Sequence, residues 1–115
     1  MIFNYINRAG GRIDLKQIDA PPVEFDSVEG ALKKALEHER FVTRSIYELV
    51  DLANSEKDHK TSMFLQWFVN EQVEEEENAE KNLSAFQFVK DDPRGILLLD
   101  KEMAARVYAL PNLAE

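Results

Sequence analysis

A chain of 115 residues that is 44% hydrophobic makes one domain with a core and is not a disordered tail. Its 22 acidic against 14 basic side chains leave a net charge of -8, which argues against binding DNA, RNA or an anionic membrane surface and favours cations. Cysteine is absent, so disulfides, thiolate metal ligands and cysteine nucleophiles are excluded, and a cytoplasmic setting is expected.

The first residues, MIFNYINRAGG, carry no basic n-region and no long apolar run. They read as no signal peptide, and no segment reaches the roughly 18 apolar residues of a membrane span. Ile2, Phe3 and Ile6, followed by Gly10 and Gly11, predict the closing turns of a helix over residues 1–8 with a glycine C-cap. So short a helix reads as the tail of a longer one. Residues 12–26 have no helical period, and Pro21 with Pro22 forbids a helix there. An extended crossover is predicted, able to span roughly 50 Å.

A long helix is predicted over residues 27–54, starting near Asp26 or Ser27, with Asp26 and Glu29 forming a capping box. Its apolar stripe is Leu32, Leu36, Val42, Ile46, Leu49, Val50 and Ala53. SEKDH interrupts the pattern, and a second long helix follows over residues 60–89, ended by Asp91, Asp92 and Pro93. A short helix over residues 94–108, closed by Pro111, completes the chain. No strand alternation or repeat is visible. The fold class is therefore all-α: an antiparallel hairpin of long helices plus a short C-terminal helix, in a single domain. Two helices leave much of each apolar stripe facing water. Further helices, from another copy or another chain, are expected to complete a four-helix bundle, so the chain is expected to be at least a dimer.

Polar residues interrupt both stripes. With Phe68 as reference on a wheel of about 100° per residue, Thr61, Phe64, Leu65, Ala79, Leu83 and Phe86 fall within about 60° of it. Gln72 and Glu75 fall there too, with Glu71 at the edge. Glu74 and Glu77 point away and Glu76 lies to the side, as a solvated glutamate face does. In the first long helix Glu39 lies in the middle of the stripe, seven residues after Leu32 and seven before Ile46. A turn centred near Lys57 puts Glu39 and Glu75 at the same height, with Gln72 about 4.5 Å away at about 1.5 Å rise per residue. A buried carboxylate must be protonated, paired or bound to a metal. Three convergent oxygen-bearing side chains suit Mg, Ca, Mn or ferrous iron. The alternatives are a buried hydrogen-bond network, or ion pairs to Arg40, Arg44 or Lys81. His38 and His59 read as surface residues, and Trp67 as a packing or subunit-contact residue.

Phe64 to Glu76, FLQWFVNEQVEEE, resembles the fourth-helix signature of bacterial and archaeal non-haem ferritins. EHER at residues 37–40 resembles their third-helix metal segment. YINRAGG and the extended link with its proline pair resemble the end of their second helix and the crossover, and DPRGILLLDKE resembles their short fifth helix. The resemblance covers residues 1–108. It implies that Glu39, Gln72 and Glu75 match the ligands of the second iron position of a ferroxidase centre, and that Glu71 and Glu74 match carboxylates of a neighbouring third site. It also implies that the chain begins inside the second helix, after the residues that ligate the first position. The expectation is the C-terminal part of a ferritin: iron binding and storage, with ferrous iron oxidation impaired, and iron or another divalent ion as the metal. The competing expectation is a non-catalytic, self-associating helical module or a fragment of a longer ferritin.

Overall fold

The structure is a computed structural model and describes residues 1–107. Four helices follow one another: α1 Ile2–Arg8, α2 Val28–Ser55, α3 His59–Val89 and α4 Pro93–Ala104. Among the described residues there is no strand, and no helix is long and apolar enough to cross a membrane. The all-α class read from the sequence is borne out.

The same backbone device ends α1 and α2. At α1 the Gly11 N–H reaches the Ile6 carbonyl (2.9 Å) and the Gly10 N–H reaches Asn7 (3.1 Å), with Gly10 left-handed at φ 81°. At α2 the Asp58 N–H reaches Ala53 (2.8 Å) and the Lys57 N–H reaches Asn54 (3.0 Å), with Lys57 left-handed at φ 57°. These paired bonds satisfy carbonyls that a helix end leaves free. The following residue, Asp58, caps α3 at once: its Oδ1 accepts from the Thr61 N–H at 3.0 Å. The hairpin turn is therefore only Glu56–Asp58.

The start of α2 differs from the expected capping box. Ser27, in extended conformation, is the N-cap and its Oγ accepts from the Gly30 N–H at 2.9 Å. Glu29 then stands one position too early to close a box. It turns across to the far end of α3, where Gln87 Nε2 donates to Oε1 at 3.0 Å, with Lys33 Nζ also at 3.0 Å and Lys90 Nζ at 3.9 Å. The last helix ends at Ala104 rather than 108, through a tightened turn in which the Arg106 N–H bonds to Met103 (3.3 Å). Tyr108 and Pro111 lie outside the described residues.

Leu36, Thr43, Ile46 and Ala53 of α2 and Leu65 and Gln72 of α3 are buried. Leu36 to Thr43, Ile46 to Ala53 and Leu65 to Gln72 each step by seven, the repeat of a two-helix seam. Only the stripe edge against α3 is covered: Val42 is half-buried and Leu49 is 44% exposed. The radius of gyration is 18.0 Å, against about 13 Å for a compact domain of this length. One layer of helices cannot close a core on both sides. At the turn end, the Tyr5 ring of α1 stacks on Phe64 of α3 (centroids 3.9 Å apart, 9° between planes), and the Tyr5 and Thr61 hydroxyls share a hydrogen bond of 2.8 Å. Phe68 stands edge-on to Phe64 at 5.5 Å and to Trp67 at 4.9 Å. Residues 12–26 form no helix or strand, and Leu15, Ile18 and Val23 are exposed.

Lys57→Gly removes the cost of a side chain in left-handed backbone and is expected to raise stability by about 1 kcal/mol, read as a shift in the urea midpoint. The Gln87 hydrogen bond, and then Lys33, hold the Glu29 carboxyl below its ordinary range. A lowered value makes its contribution complete above the ordinary range and lost as pH falls through the lowered value. Glu29→Gln should therefore flatten the fall in stability between pH 5 and pH 3, measured by urea unfolding at each pH.

Candidate metal centre

The turn sets the register. Side chains equally far from Asp58 along α2 and α3, to within one residue, face one another: Glu29 with Gln87, Arg40 with Glu76, and Thr43 with Gln72. Midway along the seam the packing changes from apolar to polar. Buried Gln72 places Nε2 at 3.1 Å from the Glu39 carbonyl, 3.2 Å from Glu39 Oε2 and 3.3 Å from Thr43 Oγ1. A backbone carbonyl only accepts, so the amide nitrogen is the atom on this side and the Gln72 oxygen faces the other way. Thr43 Oγ1 in turn donates to the Glu39 carbonyl at 3.1 Å. The amide thus ties α3 to α2 and points one carboxylate.

That carboxylate opens into a cleft of about 110 Å³ between α2 and α3. Its polar lining is Glu39, Glu75, Asn78, Asn82 and Arg106, and its floor is Leu32, Ala35 and Ala79. Glu39 is half-buried; Glu75, expected within the core stripe, is exposed. The reason is the single layer of helices: a position in the stripe is buried only if something covers it. Glu39 and Glu75 line one cleft, and Gln72 is joined to the Glu39 carboxylate. Glu71 is half-buried and Glu74 exposed, and neither lines the cleft. Among the described residues no three His, Asp or Glu side chains come close enough to hold a metal ion by themselves. The oxygen set of the cleft is two carboxylates and two asparagine amides, which suits a hard or borderline cation with water as further ligand.

Arg40, one of the expected partners for the inward carboxylates, pairs elsewhere: with Glu80 at 2.8 Å and Glu76 at 3.9 Å. Glu76, expected on the solvated face, is half-buried by this cross-helix pair. His38 is exposed, and His59 is the exposed first residue of α3. Thr43, Asn78, Asn82 and Arg106 were not expected at the centre. Thr43 had a signal, since it stands one turn after Glu39. The asparagines did too, three and seven residues after Glu75. Arg106 had none, because only the packing of α4 brings it there.

Residues 1–89 match the model of the ferritin family, described as a ferritin-like domain. The chain is 37% identical over 107 residues to the bacterial non-heme ferritin of Staphylococcus aureus strain USA300, covering 93% of this chain and 64% of that protein. The Staphylococcus haemolyticus protein of the same name is 40% identical over the same shares. Among solved structures, an open pore ferritin from the hyperthermophilic archaeon Archaeoglobus fulgidus superposes with a TM-score of 0.90 at 42% identity, over 92% of this chain and 65% of that one. A closed form of the Archaeoglobus fulgidus ferritin made by site-directed mutagenesis superposes equally well at 41% identity. The chain thus spans just under two thirds of the length of these relatives.

Gln72→Glu tests the clamp. It sets a second carboxylate against Glu39 and removes the amide donor, so stability at pH 7 should fall by about 1–3 kcal/mol in urea unfolding. Burial and the like charge raise the value of the new carboxyl, so the loss should recover as pH is lowered through it.

Proposed function

The chain belongs to the ferritin-like domain family, and from that membership we propose that it binds iron as cargo and serves iron storage. The observation that carries this reading is the meeting of Glu39 and Glu75 in one cleft, with Gln72 holding Glu39 in place. Ferrous iron accepts oxygen ligands, and two carboxylates neutralise its charge. The Gln72 oxygen, turned away from Thr43, is the neutral donor of the set. Glu71 and Glu74, matched by resemblance to a neighbouring third site, lie off the cleft and take part as outer carboxylates that pass cations inward. The net charge of -8 draws cations to the surface.

Two carboxylates with neutral amide oxygens hold one ion better than a pair. Binding is accordingly looser than at a complete di-iron centre, and oxidation of ferrous iron slower. Manganese and other divalent ions compete for the same oxygens. The open apolar side of the hairpin is covered by helices of a second copy or of a separate chain, in the cytoplasm, and such an assembly supplies the remaining ligands. The same open side favours a second reading, a self-associating helical module without iron chemistry.

Anaerobic titration with ferrous iron separates the two. Wild type should bind iron with a saturable heat that the Glu39→Ala/Glu75→Ala double variant loses. Equal binding by both would mean that the surface glutamates are the sink, and the helical-module reading would stand.

A further inference from the structure

The polar centre holds one more hydrogen-bond acceptor than its amide can use. The buried Gln72 amide has two N–H bonds, and three oxygens of α2 stand within reach of its nitrogen: the Glu39 carbonyl at 3.1 Å, Glu39 Oε2 at 3.2 Å and Thr43 Oγ1 at 3.3 Å. The buried Thr43 hydroxyl is an acceptor here because its single proton is spent on the Glu39 carbonyl at 3.1 Å. That bond and the branched β-carbon fix the hydroxyl against the helix. Two of the three acceptors are thus held rigidly by α2. The third, the Glu39 carboxylate, ends a flexible side chain that lines the cleft with Glu75. Among the described residues no enclosed side-chain nitrogen or oxygen lacks a partner, so the centre is satisfied while the carboxylate is turned to the amide.

We infer that Thr43 is a positioning residue for the cleft: its hydroxyl is the spare acceptor that keeps the Gln72 amide satisfied when the Glu39 carboxylate turns to a divalent ion. The inference rests on the reading of Glu39 and Glu75 as cation ligands. A carboxylate that swings to an ion in the cleft leaves the amide behind. With Thr43 in place, the two N–H bonds of Gln72 fall back on the Glu39 carbonyl and Thr43 Oγ1, and no buried donor is orphaned. Without that hydroxyl the amide keeps only the carbonyl and the carboxylate as acceptors. Each movement of the carboxylate towards the ion then strands one buried N–H, which costs as much as a lost hydrogen bond. Thr43 does not line the cleft and acts only through Gln72. It lowers the cost of ligation and adds nothing to the grip on the ion.

The test is calorimetric titration of the full 115-residue chain with zinc(II), which is diamagnetic and needs no oxidation step. Wild type is set beside Thr43→Val, Thr43→Ser and the Glu39→Ala/Glu75→Ala double variant, with urea unfolding of each in the absence of metal. The exposed His38 and His59 are common to all four and drop out of the comparison. Thr43→Val should bind zinc about five- to a hundredfold more weakly, the factor that one stranded buried donor implies. Its metal-free urea midpoint should stay near that of wild type, because the amide then still has two acceptors. Thr43→Ser keeps the hydroxyl and should bind near wild type, and the double variant should lose the site. By NMR, zinc should quicken the exchange of one Gln72 Nε2 proton in Thr43→Val and of neither in wild type. Unchanged binding by Thr43→Val, with binding lost in the double variant, would overturn the role of Thr43 and leave the cation site standing. So would a fall in metal-free stability that matches the loss of affinity and that serine does not restore, the mark of a residue that only packs the seam. Equal binding by wild type and the double variant would overturn the site and this inference with it.

Discussion

A three-residue turn decides what can meet what along this molecule. Once Lys57 adopts the left-handed conformation and Asp58 caps α3, the two long helices have no freedom to slide. A slip of one helical turn, about 5.4 Å, would separate Gln72 from Glu39 and leave a buried amide without acceptors. The polar centre and the turn thus specify the same register from opposite ends of a helix half. The ion pairs of Arg40 and Glu29 add a second check further along, each worth little alone at an exposed surface.

The seam shows how a polar centre is fitted into a stabilising interface. Apolar residues hold the hairpin on both sides of the middle, where Leu36, Ile46 and Leu65 are buried. Between them the side chains are Glu39, Thr43, Gln72 and Glu75, none of which drives burial. Gln72 and Thr43 satisfy one another and the Glu39 carbonyl, so the cost of burying them is offset locally. The Glu39 and Glu75 carboxylates line the cleft beside the seam, Glu39 held by the Gln72 amide. This division explains why Gln72 and Glu75 differ in burial although only three residues separate them.

Much of this was legible in the sequence because it depends on period and distance along a helix. The two long helices and the glycine end of α1 follow from local patterns, whereas Pro93, read as the stop of the preceding helix, proves to be the first residue of α4. The cap of α2 was less legible, because Asp26, Ser27 and Glu29 offer two overlapping signals and the choice rests on a cross-helix bond to Gln87. Exposure of Glu75 could not be read from a wheel, which shows which side a residue is on and not what covers it. Arg106 was invisible for a stronger reason: its position depends on how α4 packs. The small residue that permits this, Gly95, where an added Cβ would stand 2.8 Å from Val89 Cβ, reads in sequence as a mere weakness in a helix.

The stack at the turn end has a spectroscopic consequence. The chain has one tryptophan, and Trp67 stands edge-on to Phe68, which in turn meets Phe64 under the Tyr5 ring. The only indole emitter is therefore wired into the aromatic contacts that dock α1, and not into the cleft of Glu39 and Glu75. Intrinsic fluorescence will report first on the detachment of the N-terminal helix, while far-ultraviolet circular dichroism reports on the hairpin. Non-coincident transitions from the two probes would mark the local release of α1 ahead of unfolding rather than a folding intermediate of the long helices.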